Sequence, residues 1–391
     1  MVYFLTLFRD LVASVNSSWD NLKLFLTSPA GGKLVINQSE CGRYAIIHYD
    51  KLSSDMSISH VRWFRSVVWD IQAMKPLSVA PPAAVPEFNA DDLASLSVLQ
   101  EYIDGINLNI FANNAVGTLQ LTSRTSFGAK GTFYSKKTFA ELFNECLNVA
   151  PESTKAVFTP DNFAPKSGEF SRFVSVLIQH PEHRIVEQVS EPRLWFIHTG
   201  SVADDGTIHM NEEVCNIPLS PSPMNGESIQ AWFERMVAAH DWKWRGVVLK
   251  DGAGRRWCLK NVAYEMVRSL RGNTPRSSER FFILRQKGML ATYLTYYPED
   301  LADFTKYETW LHDISHKLDA LYSDIYRNKL EIEPPTYMSV HLKALHKKYT
   351  TELRAARKKI TSQDVFSYLN SLPVPRLMFL LRVSTTAPAT D

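Results

Sequence analysis

From Ile106 to Ile110 the chain alternates apolar and polar side chains residue by residue, Ile106-Asn107-Leu108-Asn109-Ile110. Side chains of a strand point alternately to opposite faces, whereas a helix brings together residues three and four apart. The stretch therefore reads as a half-buried strand. Asp104-Gly105 stands at its mouth, where a glycine lets backbone or ligand approach closely. After the strand, Asn113-Asn114 and Gly117 mark a turn, and Thr118–Thr122 is expected to return as the second arm of a hairpin.

At 391 residues the chain is long enough for two domains. It is 45% hydrophobic and 21% charged, ordinary for a globular protein. A net charge of +2 makes any nucleic-acid surface a local feature. Cys41, Cys146, Cys215 and Cys258 lack the spacing of a disulfide framework or a zinc site, which points to a reducing compartment. The apolar run Val2 to Phe8 ends at Arg9-Asp10, too short to span a bilayer and without a basic leader or cleavage site. No membrane partner and no secretion are expected.

Taken in order, residues 1–30 carry Phe4, Leu7, Phe8, Leu11, Val12, Val15, Trp19, Leu22 and Leu26 at helical spacing. An amphipathic helix packed on the body is expected, broken at Pro29 to Gly32. Short strands follow at 33–36, 44–49 and 65–69, then a surface connector from Pro81 to Pro86. Residues 137–148 form a helix, Phe170–Ile178 and Leu194–His198 strands, and 227–240 another amphipathic helix. Asp204-Asp205-Gly206 fits turn chemistry better than a metal site. His180 and His183, around Pro181, are read as structural or surface residues.

The run Glu101-Tyr102-Ile103-Asp104-Gly105 resembles the Lys-x-Asp-Gly motif that opens the active site of covalent nucleotidyltransferases, the RNA ligases among them. Tyr102 stands where that family has its nucleophilic lysine. The upstream Phe64–Asp70 segment with Lys75–Pro81, and His180-Pro181-Glu182-His183-Arg184-Ile185-Val186, are similar to phage-type RNA ligases. Ser123-Arg124 resembles the pair that contacts the nucleotide, although the same loop alone is an ordinary solvated turn. The third motif's glutamate is missing from Phe173–Ile178. Arg245-Gly246 stands where the fourth motif has Glu-Gly, and Cys258 replaces the first lysine of the fifth motif while Lys260 keeps the second. The resemblance covers roughly residues 60–285.

It implies an α+β fold: a ligase-like nucleotidyltransferase domain of antiparallel sheets with flanking helices over residues 1–285. An all-α domain is expected over 286–391. It further implies a catalytically inactive relative, with Asp104, Gly105, Arg124 and Lys260 retained for nucleotide or phosphate. Tyr102 and Arg245 mark the degenerate nucleophile and metal positions. A guanidinium at Arg245 repels Mg²⁺ and attracts phosphate. No cofactor is implied. ATP and Mg²⁺ enter only under the alternative, an active RNA ligase using another lysine such as Lys130 or Lys250. The motif order looks most like ligase relatives of large DNA viruses and phages. That implies a cytoplasmic or virion-associated protein whose partners are RNA, DNA or other viral proteins.

Beyond residue 286 helices are expected at 303–326, 339–359 and 363–372, with a disordered tail after Val383. Within His341–Lys359 there are seven Lys/Arg and one Glu. Lys343, Lys347, Arg354 and Lys358 fall near one helical face, with Lys348 beside them. This is either a phosphate-backbone surface or an ordinary solvated helix.

Overall fold

A computed structural model describes residues 1–113 and 119–386, so the turn around Asn114 and Gly117, with Thr118, lies outside the described residues. The chain divides into two units, Met1–Arg268 and Ser269–Asp391.

The first unit is built from antiparallel sheets. In chain order its strands are β1 (Val2–Leu5), β2 (Val35–Gln38), β3 (Tyr44–His48), β4 (Val67–Asp70), β5 (Lys75–Val79), β6 (Leu96–Glu101), β7 (Ile106–Asn113) and β8 (Gln120–Thr122). They continue with β9 (Glu169–Gln179), β10 (Arg193–Ala203), β11 (Ile208–Asn211), β12 (Gly246–Asp251) and β13 (Arg256–Lys260). Three sheets result, ordered β1-β11-β10-β9-β7-β8, β13-β12-β6 and β2-β3-β4-β5.

Helices cover these sheets. Phe8, Leu22 and Leu26, from helices Leu7–Ser14 and Trp19–Thr27, join Ile46, Ile47 and Val67 of the four-stranded sheet in one core. Leu142, Phe143 and Cys146 of helix Phe139–Val149 pack on Leu108, Ile110, Val174 and Val176. That helix starts in a capping box, Thr138 with Glu141, which satisfies orphan N–H groups of its first turn. Trp232, Phe233 and Met236 of helix Ile229–Ala239 pack on Val247, Leu249 and Trp257.

Several expectations need correction. The N-terminus is not helical throughout: Val2–Leu5 is an edge strand with Tyr3 buried and Phe4 exposed. The helices that follow are split at Asn16 and Ser17, both at positive φ. Lys75–Val79 is a strand although it holds Pro76; it lies at the sheet's edge, where a missing N–H costs no ladder bond. Pro81, Pro82, Ala83 and Val85 are buried, not a surface connector. Prolines bring no donor to satisfy, and Val85 exchanges backbone bonds with Arg256 and Cys258 along β13. Nor is β7 solvated on its polar face: Asn109 is fully buried and accepts from Ser175 Oγ at 2.6 Å.

His198, on β10, ties the six-stranded sheet to β5: its Nε2 lies 3.0 Å from the Val79 carbonyl. It has no exposure, and burial pulls its pKa down to about 4. The unfolded chain then takes up a proton below pH about 6.5 that the folded chain refuses until pH about 4. Stability should fall by about 3 kcal/mol as pH drops through that window. Denaturant titrations at pH 4.5 and 7 check this, with a His198→Gln variant showing the smaller difference.

The second unit is helical: Ser277–Gln286, Leu290–Tyr296, Leu301–Tyr322, Thr336–Lys348, Ser362–Asn370 and Val374–Thr386. The division at Arg268 precedes residue 285 because helix Ser277–Gln286 supplies this unit's core. Phe281 packs edge-on against Phe304, and Phe282 against Trp310. The last helix continues past Val383 to Thr386, correcting the expected start of the tail. Among the described residues, no helix is long and apolar enough to cross a membrane.

Candidate functional site

Tyr102–Gly105 is the crossing between two sheets, leaving β6 at Glu101 and entering β7 at Ile106. The Tyr102 N–H donates to the Gly246 carbonyl at 2.9 Å, and Arg245 Nη1 donates to the Ile103 carbonyl at 3.2 Å. Glycine is needed at 105 because a Cβ there would stand 2.5 Å from the Ile178 carbonyl oxygen. Gly105→Ala should cost roughly 1–3 kcal/mol through that overpacking, read as a lowered denaturation midpoint.

Asp104 is buried, and its carboxylate is saturated with donors. Oδ1 accepts from Gln179 Nε2 at 3.2 Å, and Oδ2 from the Val186 N–H at 3.2 Å and the Tyr264 hydroxyl at 3.0 Å. Burial, followed by the neighbouring Asp104 charge, pushes the Tyr264 phenol up, so it stays protonated and donates. The His180–Val186 segment thus serves the site through a backbone N–H. Gln179, at the end of β9, uses its amide oxygen to accept from Trp195 Nε1 at 3.0 Å. Burial and then the Asp104 charge also raise the pKa of Glu187.

Arg245 lies over Tyr102 with its Cζ 3.5 Å from the ring centroid, a close cation–π stack. Burial opposes its charge, but Tyr102, Tyr264, Asp104 and Glu265 outweigh that and leave its pKa raised. Its Nε is buried with no hydrogen-bond partner.

Arg65 and Lys51 lie within electrostatic reach of Tyr102 and Arg245 respectively, whereas Arg256 pairs across from Lys250 at the other end of the β12–β13 hairpin. Strand β13 alternates, so Arg256, Cys258 and Lys260 share the face opposite Trp257 and Leu259, which pack on the Trp232 helix. Arg256 Nε and Nη1 are buried without partners, while Lys260 is exposed. Burial lowers the pKa of Arg65, and Arg256 and Arg124 add to that. Desolvation likewise lowers Lys51, with Arg268, Arg124, Arg65 and Arg245 contributing. Arg124 is partly committed to structure: it stacks on Tyr49 at 4.5 Å and donates to the Tyr49 and Arg65 carbonyls at 2.5 and 3.3 Å. Among the described residues, no carboxylate is in salt-bridge contact with Lys51, Arg65, Arg245 or Arg256.

Sequence reasoning placed Tyr102, Asp104, Gly105, Arg124, Arg245 and Lys260 in this region and missed Lys51, Arg65 and Arg268. Lys260 is picked out by its resemblance to the fifth motif's second lysine; Arg256, four residues earlier on the same face of β13, is found by strand alternation. Lys51 and Arg268 carry no local signal, since only the tertiary fold brings them in.

The residues do not fit a divalent metal. Such a cation needs carboxylate oxygens, whereas Asp104's oxygens already hold three donors and a guanidinium occupies position 245. A second acidic group, Glu145, His180 and Glu182, has its ligand atoms within 4.8 Å of one another. There the Lys137 ammonium takes the cation's place, 2.8 Å from Glu145 and 2.7 Å from Glu182. A cavity of about 590 Å³ lies elsewhere on the six-stranded sheet, beside Phe163, Phe173 and Met210. Arg172 on its wall is neutralised by Glu169 at 2.6 Å. A crevice of about 60 Å³ lies beside Asp104, Glu187 and Arg245.

In the second unit Lys343, Lys347, Arg354 and Lys358 are exposed, and Lys348 is bound to Asp364 at 2.9 Å. They do not share one helical face. The α-helix ends at Lys348, and i+5 bonds from Arg354 to Tyr349 and from Lys358 to Leu353 widen the turns. Arg357 then takes a positive φ of 55° and ends the helical run.

Compared with models of known protein families and with curated proteins, the chain matches none.

Proposed function

We propose that the protein is a catalytically inactive RNA-ligase-like nucleotidyltransferase relative whose cleft binds the phosphates of a nucleotide or nucleic acid. A viral, virion-associated or cytoplasmic role beside RNA, DNA or other viral proteins follows from the same resemblance. The observation that carries this reading is the Arg245 guanidinium stacked on Tyr102 at 3.5 Å with its Nε buried and unpartnered, and Arg65 within electrostatic reach of the same ring. Loss of chemistry is supported at the nucleophile position itself. A phenol under a guanidinium replaces the amine that must attack an α-phosphate.

The alternative, catalysis by another lysine, finds little support. Lys250 is 1% exposed and paired at 2.9 Å with Glu212, itself 7% exposed. Lys130 is exposed, just after Gly128 in the loop that follows β8, rather than desolvated as an activated amine must be.

Fluorescence anisotropy with a labelled single-stranded RNA across a salt series tests the binding claim. Affinity should fall with salt by a log–log slope of about 0.7 per phosphate contacted. Neutralising Lys343, Lys347 and Lys358 together should reduce that slope if the helical unit extends the surface. Absent or salt-independent binding would overturn the reading in favour of an assembly role.

A further inference from the structure

We propose that the cavity on the outward face of the six-stranded sheet, walled by Arg172, Phe163 and Ala156, is a second binding site. Its ligand is an uncharged, flat aromatic compound that carries hydrogen-bonding groups. The cavity shares no lining residue with the Tyr102–Arg245 crevice, so the site stands independently of the phosphate reading.

Strand pairing builds the floor. Val2 on β1, Asn211 on β11 and Thr199 on β10 lie side by side in one row. In the next row Phe4, His209, Ser201 and Arg172 follow one another from β1 to β9. Directly paired residues of neighbouring strands point to the same face, so both rows look outward together. Helix Phe139–Val149 covers this face over β7 and β9, where it meets Val174 and Val176. Towards β1 the opposite wall is made by the short helices Glu152–Val157 and Pro160–Phe163. The space between measures about 590 Å³, inside the range of about 300–1,000 Å³ usual for ligand pockets. At its β1 edge Val2 and Phe4 are 54% and 66% exposed, apolar surface that a ligand would take out of water.

The lining selects the chemistry. Every nitrogen of the Arg172 guanidinium already donates to the protein: Nε and Nη2 to Glu169 at 2.6 and 3.3 Å, and Nη1 to the Asn162 carbonyl at 3.1 Å. What remains for a ligand is the flat face of the group, which stacks on aromatic rings. Burial opposes the Glu169 charge, but the Arg172 contact outweighs it and leaves the Glu169 pKa lowered. The pair therefore stays ionised and matched, and neither member is free as a counter-ion for a charged ligand. A second feature also calls for a ring. Phe196, Phe158 and Phe163 form a column of near-parallel rings, with planes 18° and 14° apart, and the column ends at Phe163 on the cavity wall. Aromatic rings pack well on such a wall, offset or edge-on. The Thr199 and Ser201 hydroxyls on the floor supply hydrogen bonds that orient the compound.

Titration of the full chain with riboflavin, read by quenching of its fluorescence, and with adenosine, read by calorimetry, tests the site. Saturable binding of at least one is expected, with an affinity that does not change across a salt series, because no ion pair forms. Arg172→Lys keeps a cation beside Glu169 but removes the flat face, and should weaken binding about fivefold or more. Ala156→Trp, at an exposed helix position on the cavity wall, fills the space and should abolish binding. It also keeps the test valid should Arg172→Lys not fold. Lys23→Gln, exposed on helix Trp19–Thr27, is the control and should bind as the native chain does. Failure of both compounds to bind, an affinity that falls with salt, or equal affinity in Ala156→Trp and the native chain would overturn the site. Binding of either compound without RNA binding keeps the site and removes the function proposed above. Salt-dependent RNA binding with neither compound bound removes the site alone.

Discussion

Asp104→Ala is expected to cost about 3–5 kcal/mol of stability, because three donors lose their acceptor together. The Gln179 amide, the Val186 N–H and the Tyr264 hydroxyl come from β9, the turn after it and helix Val262–Arg271. Each buried donor left unpaired costs about 1–3 kcal/mol. The sum is not strictly additive, since the donors share one carboxylate. Asp104→Asn should recover part of the loss, as its amide oxygen still accepts. Urea denaturation followed by tryptophan fluorescence reads both variants. A loss below about 1 kcal/mol for Asp104→Ala would show that water replaces the carboxylate, contrary to its burial.

Lys250→Ala should be comparably damaging, about 3–5 kcal/mol, for a different reason. Lys250 and Glu212 form an ion pair with side chains 1% and 7% exposed. Removing the ammonium leaves a buried carboxylate with its desolvation uncompensated. The double variant Lys250→Met/Glu212→Leu removes both charges and restores apolar contact, so it should be close to neutral or even stabilising. The same denaturation assay checks the ordering. A single variant no worse than the double would mean that Glu212 finds water once Lys250 is gone. The prediction also bears on catalysis, because a lysine whose ammonium the fold requires is a poor substitute nucleophile.

Much of the architecture was readable wherever local chemistry acts alone. The β12–β13 hairpin announces itself by Val247-Val248-Leu249 and the Asp251-Gly252 turn, and helices 139–149 and 229–239 by their apolar spacing. The errors fall where tertiary context decides. Tyr3 and Phe4 suit a helix stripe or a strand equally over so few residues, and pairing with β11 settles it. The Pro81–Val85 segment looks solvated by composition, yet it is buried along β13. The basic run after Lys343 breaks its α-helical geometry at Tyr349, which no charge pattern reports. At the site, Tyr102, Asp104 and Arg245 were visible as a linear frame. The stack of Arg245 on Tyr102 and the three donors on Asp104 depend on chain segments 75 to 160 residues apart.

The central claim is that this cleft holds phosphate without becoming covalently attached to a nucleotide. Incubating the purified chain with α-³²P-labelled ATP or GTP and Mg²⁺ or Mn²⁺, then running a denaturing gel, tests it most directly. The expected result is no labelled band with either nucleotide or either metal. A labelled wild-type band, with the adduct mapped to a lysine or to Tyr102, would contradict the claim and identify the nucleophile.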